Sequence, residues 1–327
     1  MQALCVILPP IWVPITWAYS FYTIRCITTA IIKLPEIIMV YSKLVKDLLV
    51  PRLISSKKGD NGTVLVAGGS RIYHGAPLLA SMAALRAGTD IVYTAVPRSS
   101  VVSVRSSSPN IIALPLPDDK LTIGSANRLV AMIPKRADSA AIGMGMSIAK
   151  PEAIVALIRQ LKSDGTKLLL DASALIPEVL QEISGTSTII TPHPGEYKRI
   201  FGEDAGITEK ERISNIDRLA KKYGITIVLK GSTNLVSCSI DGNGNTAVIK
   251  RSTPAMTVGG TGDVLSGLTA GLLTKLKPFY ASILGLYFNG LAASLAYKQV
   301  GLHMVATDLI EHLPNAMKTF DKINSGC

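Results

Sequence analysis

From Gly62 onward, short runs of β-branched and aliphatic residues alternate with longer stretches whose apolar residues recur at helical spacing. Runs at 63–67, 90–96, 140–142, 167–170, 188–191 and 226–230 read as strands, each bounded by glycine, proline or a polar group. Residues 76–87 read as a helix of small side chains. Residues 237–249 read as a hairpin turning at Asp241-Gly242-Asn243-Gly244-Asn245. Helix patterns at 264–276, 280–300 and 307–319 close the chain, separated by Pro278 and Gly301. No repeat, linker or low-complexity stretch interrupts the alternation. It predicts one α/β domain, a mostly parallel central sheet flanked by helices on both faces. In such sheets ligands sit beyond the carboxyl ends of the strands. Glycine-rich and polar groups gather there: Gly68-Gly69-Ser70, Gly143-Met144-Gly145, Asp171, His193 and Lys230-Gly231.

Residues 1–42 stand outside this pattern, and the domain is expected over 43–327. Residues 4–24 carry no charge and are long enough to span a bilayer. Yet Pro9, Pro10 and Pro14 break the helix pattern, and no basic residue precedes the run as in a signal peptide. An inserted segment would leave the remainder in the cytoplasm, because Arg25, Lys33, Lys43 and Lys46 follow it. The preferred reading is a translation start at Met39, which makes 39–53 an amphipathic opening helix stopped near Pro51. A cytoplasmic location follows, with a membrane involved only if the upstream segment is used.

Composition narrows the function classes. A chain of 327 residues with 48% hydrophobic content can bury a large core. Aromatic content of 5% offers no stacking platform for single-stranded nucleic acid. The net charge of +11 comes from scattered lysines and arginines, so it reads as a solvated surface, with small polyanionic substrates as a secondary possibility. Cys5, Cys26, Cys238 and Cys327 form no CxxC pair and no zinc spacing with the histidines, which implies a reduced intracellular compartment.

The chemistry concentrates in residues 253–271. Gly259, Gly260 and Gly262 lead into a helix pattern, so backbone N–H groups and a positive helix end converge on one spot. A plain anion site has no use for Asp263, whose charge repels phosphate. A carboxylate there suits a base that takes a proton from a hydroxyl attacking that phosphate; an ordinary first-turn acid is the bland alternative. His193, clamped between Pro192 and Pro194 at a strand exit, can donate to a ligand or satisfy backbone carbonyls. Lys230-Gly231-Ser232-Thr233-Asn234 offers an ammonium and several donors to nucleotide phosphates, or is a surface turn. Asp171 can hold Mg²⁺ through water or cap the next helix. Gly75-Ala76-Pro77 opens a helix whose small side chains admit a flat ligand or simply pack.

Taken together, these segments resemble the ADP/ATP-dependent NAD(P)H-hydrate dehydratases, a branch of the ribokinase-like superfamily. The likeness runs through Lys57-Lys58-Gly59-Asp60-Asn61-Gly62, Gly68-Gly69-Ser70, Tyr73-His74-Gly75-Ala76-Pro77, Ala84-Leu85-Arg86-Ala87-Gly88, residues 191–196, Lys230-Gly231 and residues 259–267. The resemblance implies that ADP or ATP, with Mg²⁺, phosphorylates the ring hydroxyl of the S-form of hydrated NADH or NADPH. Phosphate then leaves by elimination. It implies Asp263 as the base, and the N–H groups of Gly260, Thr261 and Gly262 as the anion hole. It implies Ala76, Gly145, His193 and Asp263 against the hydrate, and Lys230, Gly231, Ser232, Thr233, Asn234 and Gly262 around the nucleotide.

This chain departs from the family pattern at Ser173, where the family usually has Asp, and at Gly143-Met144-Gly145-Met146-Ser147, where Gly-Pro-Gly-Leu-Gly is common. Residues before 57 are too few for the epimerase domain that many relatives carry, so no epimerase activity is expected. Two rivals remain: a ribokinase-like kinase that stops at a phosphorylated vitamin precursor or sugar, and a membrane-tethered nucleotide-binding regulator. Small residues at 291–295 are expected to face a second subunit in a homo-oligomer.

Overall fold

The computed structural model describes residues 36–38, 42–240, 243–250 and 253–324. Its strands are β1 (Glu36–Ile38), β2 (Arg52–Leu53), β3 (Thr63–Ala67), β4 (Ile91–Pro97), β5 (Ile112–Leu116), β6 (Ser139–Ile142), β7 (Lys167–Leu170), β8 (Thr188–Ile190), β9 (Thr226–Leu229), β10 (Thr233–Ile240), β11 (Asn243–Lys250) and β12 (Ile323–Asn324). Its helices are α1 (Ser42–Leu48), α2 (Gly75–Arg86), α3 (Val101–Ser107), α4 (Ile123–Met132), α5 (Pro151–Ser163), α6 (Leu180–Ile183), α7 (Pro194–Phe201), α8 (Glu209–Tyr223), α9 (Thr261–Leu273), α10 (Pro278–Val300) and α11 (Ala306–Met317).

Ten strands form one sheet in the order β1-β11-β10-β9-β8-β7-β6-β3-β4-β5, and β12 pairs with β2 apart from it. Strands from β9 to β5 are all parallel, whereas β10 runs antiparallel to both neighbours. The chain winds outward from β3 to β5, returns to place β6 beside β3, and winds out the other way. That reversal opens a crevice at the carboxyl ends of β3 and β6, where an open α/β sheet takes its ligand. Gly69 N–H donates to Met144 O at 2.8 Å, so the loops leaving β3 and β6 touch there.

Alternation along the strands separates two cores. Val64, Val66, Ala141, Leu169, Ile189 and Val228 face α2, α9, α10 and α11. Leu65, Ala67, Ala140, Ile142, Leu168, Leu170 and Ile227 face α4, α5, α7 and α8. Helix α9 lies against α2 so closely that a Cβ on Gly267 would stand 1.9 Å from Ala80 O. Only glycine permits that approach, and it fixes where the α9 N-terminus points.

The predicted α/β architecture is the observed one, with local differences. Residues 36–38, expected outside the domain and ahead of the Met39 start, form β1 and pair parallel with β11 at the sheet edge. Strand β5 was not foreseen, because Pro115 interrupts its run. It is tolerated since β5 is an edge strand paired with β4 alone. The hairpin begins at Thr233 rather than 237, and Asn243 to Asn245 already belong to β11; Asp241 and Gly242 lie outside the described residues. The helix expected over 39–53 is confined to Ser42–Leu48 within the described residues.

Among the described residues, Pro278–His303 is long and apolar enough to cross a membrane, but 72% of its most apolar 18-residue window is buried within the chain. Ala292 and Ala293 are fully buried, and Leu291 and Leu295 pack against the same core. Within 291–295, Leu291, Ser294 and Leu295 remain partly exposed. Residues 1–35, including the apolar run, lie outside the described residues.

Candidate active site

Helix α9 starts at the sheet's ligand-binding end. Gly260 is its N-cap, with φ at 92°, a left-handed conformation that suits glycine. A Cβ there would also stand 2.7 Å from Leu79 Cδ1 and 2.8 Å from Ala306 Cβ. The Thr261 hydroxyl donates to Met256 O at 3.0 Å and Val258 O at 3.1 Å, tying the preceding turn to the helix. Gly260, Thr261 and Gly262 occupy the positions whose N–H groups have no acceptor within a helix. The positive end of α9 and these donors are arranged as an anion cradle would be.

Asp263 stands in that first turn, half-buried. Burial pushes its carboxyl up, the nearby Asp171 carboxylate pushes it further, and Lys230 pulls it partly back; the balance lies at about 7. An acid so poised can accept a proton near neutral pH.

Asp171 is 2% exposed and follows β7. Lys230 Nζ donates to its Oδ1 at 2.7 Å, and Ser266 Oγ donates to its Oδ2 at 2.7 Å. Burial alone would raise the Asp171 carboxyl, but the Lys230 charge and the hydrogen bonds from Lys230, Ser266 and Thr191 outweigh it and hold it below the ordinary value. Its side chain makes no capping hydrogen bond, and both oxygens are engaged by protein groups. The helix-cap role read from the sequence is not made by its side chain. Asp171 anchors Lys230 and α9 instead.

Lys230 follows β9 and also lies 3.7 Å from Glu196 Oε2. Burial works against its charge, yet Asp171, Glu196 and Asp263 together keep its pKa above the ordinary lysine value. Glu196 Oε2 in turn accepts from His193 N–H at 2.9 Å. His193 is the N-cap of α7: its Nδ1 accepts from Gly195 N–H at 3.0 Å and Glu196 N–H at 3.2 Å. The ring thus serves backbone N–H groups rather than carbonyls, and in the neutral imidazole the proton sits on Nε2, 3.6 Å from Glu196 Oε1 on an exposed side chain.

A cavity of about 270 Å³ is lined by His193, Lys230, Gly231, Asn234, Thr261 and Gly262, together with Lys250, Met256, Leu265, Leu286 and Asn289. Asn234 Oδ1 accepts from Gly231 N–H at 3.1 Å and so shapes this wall. Ser232 and Thr233 do not line it; Ser232 is exposed and Thr233 opens β10. Ala76 and Gly145 form a second group. A Cβ on Gly145 would stand 3.1 Å from Ala76 Cβ and 2.8 Å from Tyr73 Cβ, at the crevice between β3 and β6.

Sequence reading missed Lys250 and Asn289. Lys250 ends a hairpin strand and carries no local signal. Asn289 had one, a lone amide within an otherwise apolar helix run. A second cavity, about 360 Å³, opens at the opposite end of α9. Its Arg52 and Lys275 are held by Asp90 and the Asp60 carbonyl, away from Asp263.

Among the described residues no three His, Cys, Asp or Glu side chains are placed to hold a metal. The donors present fit Mg²⁺ as an ion carried by nucleotide phosphates and water rather than by a protein cage.

Comparison with known proteins agrees with this geometry. The chain is 50% identical over 282 residues to an ADP-dependent (S)-NAD(P)H-hydrate dehydratase of Nitrosopumilus maritimus, covering 86% of this chain and 96% of that one. A bifunctional NAD(P)H-hydrate repair enzyme of Pyrobaculum aerophilum is 37% identical; the match covers 82% of this chain and 53% of that enzyme. The ADP/ATP-dependent NAD(P)H-hydrate dehydratase of Bacillus subtilis, co-crystallised with ATP and Mg²⁺, superposes with a TM-score of 0.73 at 26% identity, over 89% of this chain and all of that one. A model of the NAD(P)H-hydrate dehydratase family matches residues 64–315. With its anion cradle, its poised carboxyl and a match along most of its length, the chain belongs to the NAD(P)H-hydrate dehydratase family.

Proposed function

We infer that this chain dehydrates the S-form of hydrated NADH or NADPH, with ADP as phosphoryl donor, and that it works in the cytoplasm. The placement of Asp263 in the first turn of α9, beside Asp171 and Lys230, carries this reading. Its carboxylate takes the proton from the ring hydroxyl as that oxygen attacks the terminal phosphorus of ADP, and AMP departs. The N–H groups of Gly260, Thr261 and Gly262 stabilise charge on the transferred phosphoryl group, a contribution of about 3–4 kcal/mol for a well-placed donor. Lys230 and the Nε2–H of His193 add positive charge and a donor at the same cavity.

Phosphate is a far better leaving group than hydroxide. The ring-nitrogen lone pair expels it, and the adjacent carbon loses a proton to restore the double bond. Hydrate and ADP thus become NAD(P)H, AMP and phosphate. Mg²⁺ supplies charge neutralisation on the phosphates. ADP is favoured because the Nitrosopumilus relative at 50% identity and one of Cenarchaeum symbiosum at 48% are both ADP-dependent.

The test incubates purified protein with hydrated NADH and Mg²⁺, and with ADP or ATP in parallel, following reduced-nicotinamide absorbance. Recovery of NADH with ADP is expected. Accumulation of a stable phosphorylated product without recovery would show a kinase instead.

A further inference from the structure

Two lysines, Lys230 and Lys250, line the 270 Å³ cavity that also contains Gly231, Thr261 and Gly262. They are not equivalent. Lys230 reaches the start of α9, since a Cβ on Gly262 would lie 3.8 Å from its Nζ. Yet its ammonium already meets Asp171 Oδ1 at 2.7 Å and Glu196 Oε2 at 3.7 Å. One ammonium against two carboxylates leaves this cluster net anionic, and Asp263 adds a further negative charge once its carboxyl loses its proton. A diphosphate arriving beside the cluster meets repulsion that burial leaves poorly screened. The α9 N–H groups offset part of it. A full positive charge with no carboxylate of its own is still required.

Lys250 is placed to supply it. It ends β11 opposite Thr233 in the antiparallel ladder, which sets it beside the turn from Lys230 to Asn234. Its side chain is partly buried and makes no ion pair among the described residues. Lys58, Lys120 and Lys277 also lack ion pairs, but they are exposed and lie outside this cavity. A lysine that combines partial burial, a cavity wall and an uncompensated charge is suited to an anion inside that cavity.

We propose that Lys250 binds the phosphate groups of the nucleotide and supplies the net positive charge that the Lys230 cluster lacks. The proposal rests on the reading of this cavity as the ADP site. It makes Lys250 a nucleotide-binding residue, with Lys230 chiefly holding Asp171.

The experiment measures ADP binding by titration calorimetry at low and high salt, for the wild type, Lys250→Met and Lys250→Arg. Wild-type affinity should fall as salt rises. Lys250→Met should bind ADP about tenfold more weakly at low salt, the scale of one charge-assisted hydrogen bond, with a shallower salt dependence. Lys250→Arg keeps the charge and should stay near the wild type. Wild-type affinity in Lys250→Met overturns the proposal, and so does a loss whose salt dependence is unchanged, which would mark a packing role. Light acetylation of the wild type, read by peptide mass spectrometry, needs no variant. ADP should reduce labelling of Lys250 several-fold and leave Lys58 unaffected; undiminished labelling of Lys250 overturns the proposal even if no variant folds. NADH recovery with unchanged ADP affinity in Lys250→Met sinks only the Lys250 assignment. Charge-dependent ADP binding through Lys250 without recovery sinks the reaction and supports the assignment. A wild type that binds no ADP overturns both.

Discussion

Lys230 donates to Asp171 at 2.7 Å across 59 residues of sequence, and this buried pair lies beside Asp263. The pair makes the neighbourhood of Asp263 neither purely cationic nor purely acidic. Burial raises the Asp263 carboxyl, the Asp171 carboxylate raises it further, and Lys230 pulls it partly back to about 7.

Asp263→Asn should lower turnover by about 10²–10⁴-fold, the usual contribution of a general base, with ADP affinity changed little. In the wild type, kcat/KM should rise with pH through about 7, as the carboxyl loses its proton. Steady-state profiles and ADP titrations check both points; unaltered turnover in the variant defeats the assignment.

The same substitution should stabilise the fold at neutral and alkaline pH. The folded carboxyl titrates at about 7 and the ordinary one at 3.8. Between those values the folded chain binds more protons than the unfolded chain, so stability falls as pH rises through the window. Asparagine removes that cost. Melting curves should show Asp263→Asn above wild type at alkaline pH, with the difference vanishing below the ordinary carboxyl value.

Asp171→Asn should shift the acidic limb of kcat/KM to lower pH, because it removes the repulsion that raises Asp263 and frees Lys230 to attract it. Lys230→Met leaves the Asp171 carboxylate buried without its charge partner. It should cost about 3–5 kcal/mol of stability, the range for breaking a buried pair, read by chemical denaturation. A limb that stays at about 7 in Asp171→Asn would remove Asp171 from the account of the base.

Gly267→Ala tests the packing that aims α9. Its Cβ would meet Ala80 O at 1.9 Å, so a loss of about 1–3 kcal/mol or more is expected from denaturant melts. Gly259→Ala serves as the contrast. Nothing lies within 4 Å of its Cβ and its φ is not positive, so it should be nearly neutral.

Much of the fold was legible because the signal is local. The runs of β3, β7 and β9 are apolar and short, and the helices between them repeat at helical spacing. The edge strand β5 hid behind Pro115. The hairpin start was displaced because Thr233 and Asn234 read as a polar loop, although they pair with Lys250 and Ile249. At the site, Gly259 to Asp263 announced a phosphate cradle through glycine content and the helix that follows. The tether from Asp171 to Lys230 and Ser266 gave no such sign, because its members are spread across 95 residues.

The sequence by itself determined the alternation of strands and helices, the glycine-rich entrance to α9 and the presence of a carboxylate there. These depend on residue types within a few positions of one another. Only the tertiary structure decided that Asp171 neutralises part of Lys230, that Asp263 is poised near 7 and that Asn289 lies buried beside the cavity lined by Lys230 and Gly262. Those properties arise from burial and from charges a few ångströms apart, and distance along the chain carries no record of either.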